Sequence, residues 1–165
     1  MIILAIDPGN VDSAYCHYDT AAKKILAIAK VPNETLRDLL PTTSAARMVI
    51  EMVACYGMPV GATIFDTCVW IGRYRQVWED SGRPSEILFR KDIKLHLCGS
   101  PRAKDPNVRQ ALMDRYGSSK EVAIGKKKTP GPLFGVTADQ WAALAVAITW
   151  GEQHEDASPS LPAGA

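Results

Sequence analysis

Three acidic residues stand where this chain of 165 residues would otherwise place apolar groups. Asp7 closes the aliphatic run MIILAI and is followed at once by Pro8 and Gly9. Glu51 sits among Met48, Val49, Ile50, Met52 and Val53, and Asp139 opens the alanine-rich stretch DQWAALAVAITW. If the three met in space, their charges would repel. A divalent cation is the usual means of keeping clustered carboxylates ionised, and an all-oxygen donor set favours Mg²⁺, with Mn²⁺ able to substitute. Such a site can activate a water and stabilise the leaving oxygen of a phosphodiester. Two of the acids also have a plainer reading. Asp7 before Pro-Gly can initiate a turn, and Asp139 can cap a helix or complement its dipole. Glu51 is harder to explain structurally, because a lone carboxylate in a buried strand is costly unless paired, protonated or metal-bound.

The distribution of charge adds a second signal. The net charge is only +1, yet from Arg90 to Lys128 eleven Lys or Arg face four Asp or Glu. A near-neutral protein with one basic third has a polarised surface that suits a polyanion such as nucleic acid. A solvated basic loop without a partner fits the composition equally well.

Hydrophobic residues at 47% and charged residues at 22% are ordinary values for a globular protein. No apolar run approaches the ~20 residues of a membrane span, and the N-terminal run lacks the basic lead of a secretion signal. Cys16, Cys55, Cys68 and Cys98 form no CxxC pair, so buried free thiols in a reducing, cytoplasmic compartment are expected rather than a zinc site. GxGxxG, the phosphate-binding GxxxxGK[ST] and the nucleophile elbow GxSxG are all absent. An Asp-x-Gly near the N-terminus also occurs in sugar-kinase-like ATPases, but 165 residues are too few for their two lobes.

The elements that must position the acids follow from periodicity. MIILAI suits a strand buried on both faces. SAYCHYD and KILAIAKV follow as two more strands, joined by a polar turn at 19–23. Thr35 to Leu40 predicts a short helix stopped by Pro41, and RMVIEMVACYG a fourth strand carrying Glu51. Residues 61–80 carry apolar side chains at helical spacing, with Trp70, Tyr74 and Trp78 on one face as core or interface residues. Asp66 in that stretch can cap the helix or add a carboxylate to the other three. EILFR reads as a fifth strand, 91–97 as a short amphipathic helix, and Asp105-Pro106 as the N-cap and first residue of another. Residues 118–134 read as a mobile basic loop, and Thr137 or Asp139 opens a final helix that is apolar nearly all round. The class is therefore α/β, a mixed five-stranded sheet flanked by helices. One domain over 1–151 is expected, with 152–165 a disordered tail.

Four segments, AIDPGNVDSAYCHYD, VIEMVACYG, KDIKLHLCGSPRAKDPNVRQALMDRYG and ADQWAALAVAITW, resemble in order and spacing the RuvC family of Holliday-junction resolvases, which are ribonuclease-H-like nucleases. The resemblance spans about residues 1 to 151. It implies a ribonuclease-H-like fold and a homodimer that cuts two opposing strands of a four-way DNA junction. It also implies that Asp7, Glu51 and Asp139 are metal-binding catalytic residues. Lys94 and Lys104 match basic residues near the scissile phosphate or the junction arms. Lys91, Arg102, Lys126, Lys127 and Lys128 extend the expected DNA contact. The chain departs from the family pattern in three ways. Ala142 stands where a second acid follows Asp139 by three residues, and Lys104-Asp105 reverses the usual order. Ala54 and Cys55 occupy the place of an aromatic wedge, for which Tyr56 or a residue of the next helix would have to substitute. These departures point to a divergent branch of phage or prophage type. Two other functions fit the same residues: a junction-binding protein that has lost the chemistry, and a nuclease for flaps, forks or RNA–DNA hybrids.

Overall fold

The computed structural model describes residues 1–55 and 57–155. The alternative wedge Tyr56 and the stretch 156–165 lie outside the described residues.

The aliphatic run forms β1 (Ile2–Asp7), which pairs antiparallel with β2 (Asp12–Asp19). A turn in which Asp19 Oδ1 accepts from the Ala21 and Ala22 N–H groups leads into β3 (Lys24–Pro32), antiparallel to β2. α1 (Asn33–Leu39) follows, and Pro41 lies in the single 3₁₀ turn that ends it. β4 (Arg47–Met52) then pairs parallel with β1 on its other side. α2 (Ala62–Asp80) and β5 (Ser85–Phe89), parallel to β4, complete a sheet of order β3-β2-β1-β4-β5. The expected mixed five-stranded sheet is present.

β1 is buried on both faces, which is why it reads as an unbroken apolar run. Successive side chains alternate between the faces of a strand. Leu4 and Ile6 join Met48 and Ile50 under α2, with Trp70, Ile71, Tyr74 and Trp78 filling that core layer. The aromatic stripe of α2 is thus core. On the other face Ile3, Ala5 and Val49 pack beneath α6 (Gln140–Glu155), whose residues from Trp141 to Gly151 are buried except Ala142. Alanines at 143, 145 and 147 let this helix lie close on β1 and β2. α3 (Arg90–Cys98) and α4 (Asp105–Tyr116) cover the same face beside it.

Several expectations need correction. Lys104, not Asp105, precedes α4, and Asn107 Oδ1 accepts from its backbone N–H at 3.0 Å, so Asp105 is the first helical residue. Residues 118–134 are not a plain loop. They hold α5 (Lys120–Ala123) and a tight hairpin of β6 (Gly125–Lys126) and β7 (Thr129–Pro130). Gly125 turns at φ 71°, where a Cβ would run into the Thr129 carbonyl. α6 runs on to Glu155, past the expected domain end, because Glu152 is clamped by Arg115 at 2.6 Å and His96 at 2.7 Å. Only Cys16 of the four free cysteines is buried. Asp66 lies inside α2 on its exposed side, so it neither caps the helix nor faces the other acids. Among the described residues no helix is long and apolar enough to cross a membrane.

Candidate active site

The registers explain why the acids gather. Ile6 pairs with Ile50 in the parallel β1–β4 ladder, so the next residues, Asp7 and Glu51, end adjacent strands side by side. Both continue the alternation of Ala5 and Val49 and therefore face α6. Asp139 immediately precedes that helix, and its carbonyl accepts from the Ala142 and Ala143 N–H groups. All three acids line one cleft of about 380 Å³, together with Arg90, Lys94, Asp105 and Arg109.

The turn after Asp7 is held by a buried polar network. The Gly9 N–H donates to Ser13 Oγ at 3.1 Å, Ser13 Oγ donates to Asn33 Oδ1 at 2.7 Å, and Asn33 Nδ2 returns to the Gly9 carbonyl at 2.9 Å. The Tyr74 hydroxyl lies 3.1 Å from Ser13 Oγ and ties the network to α2. A side chain at position 9 would collide with the Asp12 carbonyl. Satisfied polar groups of this kind rigidify a turn, because each would be costly to leave unpaired.

The electrostatics of the cleft are unbalanced. Asp7 is pushed up to about 7, chiefly by burial, then by Glu51, with Asp139 adding to the effect and Arg90 and Lys30 opposing it. Burial also raises Glu51, against the pull of Arg90. Arg90 Nη1 donates to Glu51 Oε1 at 3.0 Å and to Oε2 at 3.4 Å, while Nη2 donates to Asp105 Oδ1 at 3.0 Å. Lys94 Nζ stands 3.7 Å from the same Asp105 oxygen. Lys30 Nζ donates to Asp139 Oδ2 at 2.6 Å. Among the described residues no three His, Cys, Asp or Glu side chains converge as a ready ligand set. The donor chemistry nevertheless fits a hard cation. Asp7 and Glu51 are adjacent, oxygen-only and mutually repelling, and Mg²⁺ is commonly held by one or two carboxylates plus water and substrate oxygens. Asp139 would join them on leaving Lys30.

Of the expected basic residues, Lys94 alone lines the cleft. Lys91, Arg102 and Lys104 are exposed on α3 and at the approach to α4, and Lys126, Lys127 and Lys128 are exposed at the tip of the β6–β7 hairpin. Ala54 and Cys55 are exposed in the chain that leaves β4. Four residues were missed by sequence reasoning: Lys30, Arg90, Asp105 and Arg109, whose guanidinium lies 5.1 Å above the Trp141 ring. Arg90 was within reach of it, since it ends EILFR two residues past Leu88, the partner of Glu51.

A mixed sheet of order β3-β2-β1-β4-β5, with helices on both faces and acids at the C-terminal ends of its central parallel strands, is the ribonuclease-H-like fold. Among solved structures the chain is similar to RuvC of Thermus thermophilus, with a TM-score of 0.64, 17% identity, and 90% of this chain and 92% of that chain covered. It is similar as well to T. thermophilus RuvC in complex with a Holliday junction substrate, with a TM-score of 0.60, 16% identity, and 90% and 91% covered. No family model and no curated protein matches the chain.

Proposed function

We propose that the chain is a metal-dependent endonuclease that resolves four-way DNA junctions by symmetric phosphodiester hydrolysis. The observation that carries this reading is the adjacent pair of half-buried Asp7 and buried Glu51, lining with Asp139 a cleft walled by Arg90, Lys94 and Arg109. A purely structural core gains nothing from a buried carboxylate set beside a second, half-buried one. A bound Mg²⁺ or Mn²⁺ supplies an activated water and charge stabilisation at the reacting phosphate. Asp7 and Glu51 hold the cation from the sheet, and Asp139 completes the set from the start of α6. Lys94 neutralises the phosphate nearest the cleft. Lys91, Arg102 and Lys104 continue that contact along the backbone, and Lys126, Lys127 and Lys128 add an outer one. All of these contacts weaken with salt.

Symmetric cutting requires a second copy. α2 exposes Phe65 at 61% and Val69 at 52%, one turn apart and away from its core face. That unpartnered apolar stripe suits an isologous contact between two copies of this chain. The residues from 1 to the end of α6 at Glu155 serve as one nuclease domain, and the substrate is cytoplasmic branched DNA rather than any membrane component.

The test is cleavage of a labelled synthetic four-way junction, with linear duplex as control, in Mg²⁺, Mn²⁺ and EDTA. Paired, metal-dependent nicks in the junction alone are expected. Equal cutting of flaps, forks or RNA–DNA hybrids would reassign the substrate. One observation favours a second reading, a junction-binding protein without chemistry. Ala142 lines the cleft where a further acid would stand, and Lys30 and Arg90 already pair with Asp139 and Glu51. Tight junction binding with no cut in either metal would select it.

A further inference from the structure

Among the described residues, Arg90 is the cleft cation bonded both to buried Glu51 and to Asp105, an exposed acid lining the same cleft. Its Nη1 serves both oxygens of Glu51, whose side chain is only 9% exposed, and its Nη2 serves Asp105, whose side chain is 72% exposed. We propose that Arg90 is a DNA-phosphate ligand whose guanidinium is released for that role when a divalent cation takes Glu51. The inference rests on the metal-dependent nuclease reading and names a substrate contact within it.

The argument is one of shared oxygens and like charge. Glu51 is so enclosed that a cation bound to its carboxylate must use the oxygens that Arg90 Nη1 now occupies. A guanidinium and a divalent cation on one carboxylate repel across a few ångströms of low-dielectric space. The second anchor holds poorly alone, because an ion pair exposed on the Asp105 side is weakened by water and salt. Arg90 itself is 43% exposed and lines the cleft beside Lys94 and Arg109. Its planar fork matches two phosphate oxygens, which the point charge of Lys94 does not. Release from Glu51 therefore leaves a bidentate donor facing the place where a phosphate must come to react. The same exchange keeps Glu51 neutralised while no cation is bound.

The experiment uses the full chain with Arg90→Gln and Arg90→Lys, both checked by thermal melting. Ca²⁺ is titrated alone, and affinity for a labelled four-way junction is then measured against salt in Ca²⁺ and in EDTA. Arg90→Gln is expected to bind Ca²⁺ several-fold more tightly than wild type. In Ca²⁺ it should lose roughly 0.9 from the slope of log affinity against log salt, one phosphate contact. Its affinity should fall about tenfold in Ca²⁺ and less than about twofold in EDTA, the signature of a contact made only after release. Arg90→Lys should keep the slope and lose only part of the affinity. Weaker Ca²⁺ binding by Arg90→Gln would overturn the proposal and make Arg90 a positioning residue for Glu51. An unchanged slope in Ca²⁺ would overturn it as well. If wild type itself binds neither Ca²⁺ nor the junction, the nuclease reading fails first and takes this inference with it.

Discussion

The two ends of the surface beneath α6 treat their carboxylates in opposite ways. At the N-terminal ends of β4 and β5, Glu86 is fully answered. Arg47 Nη1 donates to its Oε1 at 2.5 Å, Trp150 Nε1 donates to its Oε2 at 2.9 Å, and Arg47 stacks over the Trp150 ring at 5.5 Å. At the C-terminal ends of β1 and β4, Asp7 and Glu51 lie side by side. The guanidinium nearest them is divided between Glu51 and Asp105. The two ends share β4, and Glu86 is the more exposed of the two β-strand glutamates, its side chain 34% exposed against 9% for Glu51. They differ as well in charge balance. A matched carboxylate strengthens the fold, whereas a surplus of negative charge in a cleft stores repulsion that a cation relieves.

The sharpest way to break this comparison is to neutralise one acid at each end. Asp7→Asn should lower junction cleavage by roughly 10³-fold or more, the loss of several kcal/mol of metal-assisted stabilisation, while leaving junction binding intact. Gel cleavage and binding assays on the same preparation check it. Glu86→Gln should leave the cleavage rate within about twofold and cost about 1 kcal/mol of stability, since its ion pair is partly exposed. A large activity loss in Glu86→Gln would erase the distinction.

The pH dependence of stability sharpens the contrast further. Asp7 rises from 3.8 to about 7 on folding, so between these values the folded state keeps a proton that the unfolded state has lost. Stability without divalent cation must therefore fall as pH rises from about 4 to about 7, by on the order of 1–3 kcal/mol. Melting temperatures across that range should show the decline, and Asp7→Asn should flatten it. Added Mg²⁺ should raise the melting temperature strongly at pH 8 and little at pH 5, because the cation must displace that proton.

Two smaller effects complete the series. Ala142 lines the cleft one helical turn beyond Asp139. Ala142→Asp should therefore tighten Mg²⁺ binding several-fold by calorimetry, through one more oxygen ligand. Lys30→Ala should change stability by less than about 1 kcal/mol, since its pair with Asp139 is exposed. The same variant should modestly tighten cation binding by freeing Asp139.

Much of this site was legible before the fold was known. Asp7 and Glu51 each interrupt an aliphatic strand, and an apolar pattern broken by a carboxylate needs a reason that burial energetics can state. Lys30 was not legible, and the cause is specific. The β2–β3 pairing shifts register between His17 and Tyr18, so Lys30 rather than Ala29 lies opposite Ala14, the partner of Asp7. A one-residue bulge reverses which face every later side chain takes, and no local composition marks it here. The β6–β7 hairpin was missed because strands of two residues leave no periodicity to read. Arg90 was read only as a strand end.

The sequence by itself determined the alternation of strands and helices, the two-sided burial of β1 and the identity of the three anomalous acids. Those properties depend on local period and on the cost of burying charge. Only the tertiary structure decided which cations answer those acids. Pairing of Arg90 with Glu51 and Asp105, and of Lys30 with Asp139, depends on strand register and helix placement across residues far apart in the chain. A shift of a few ångströms in either decides whether a charge is matched or left for a ligand.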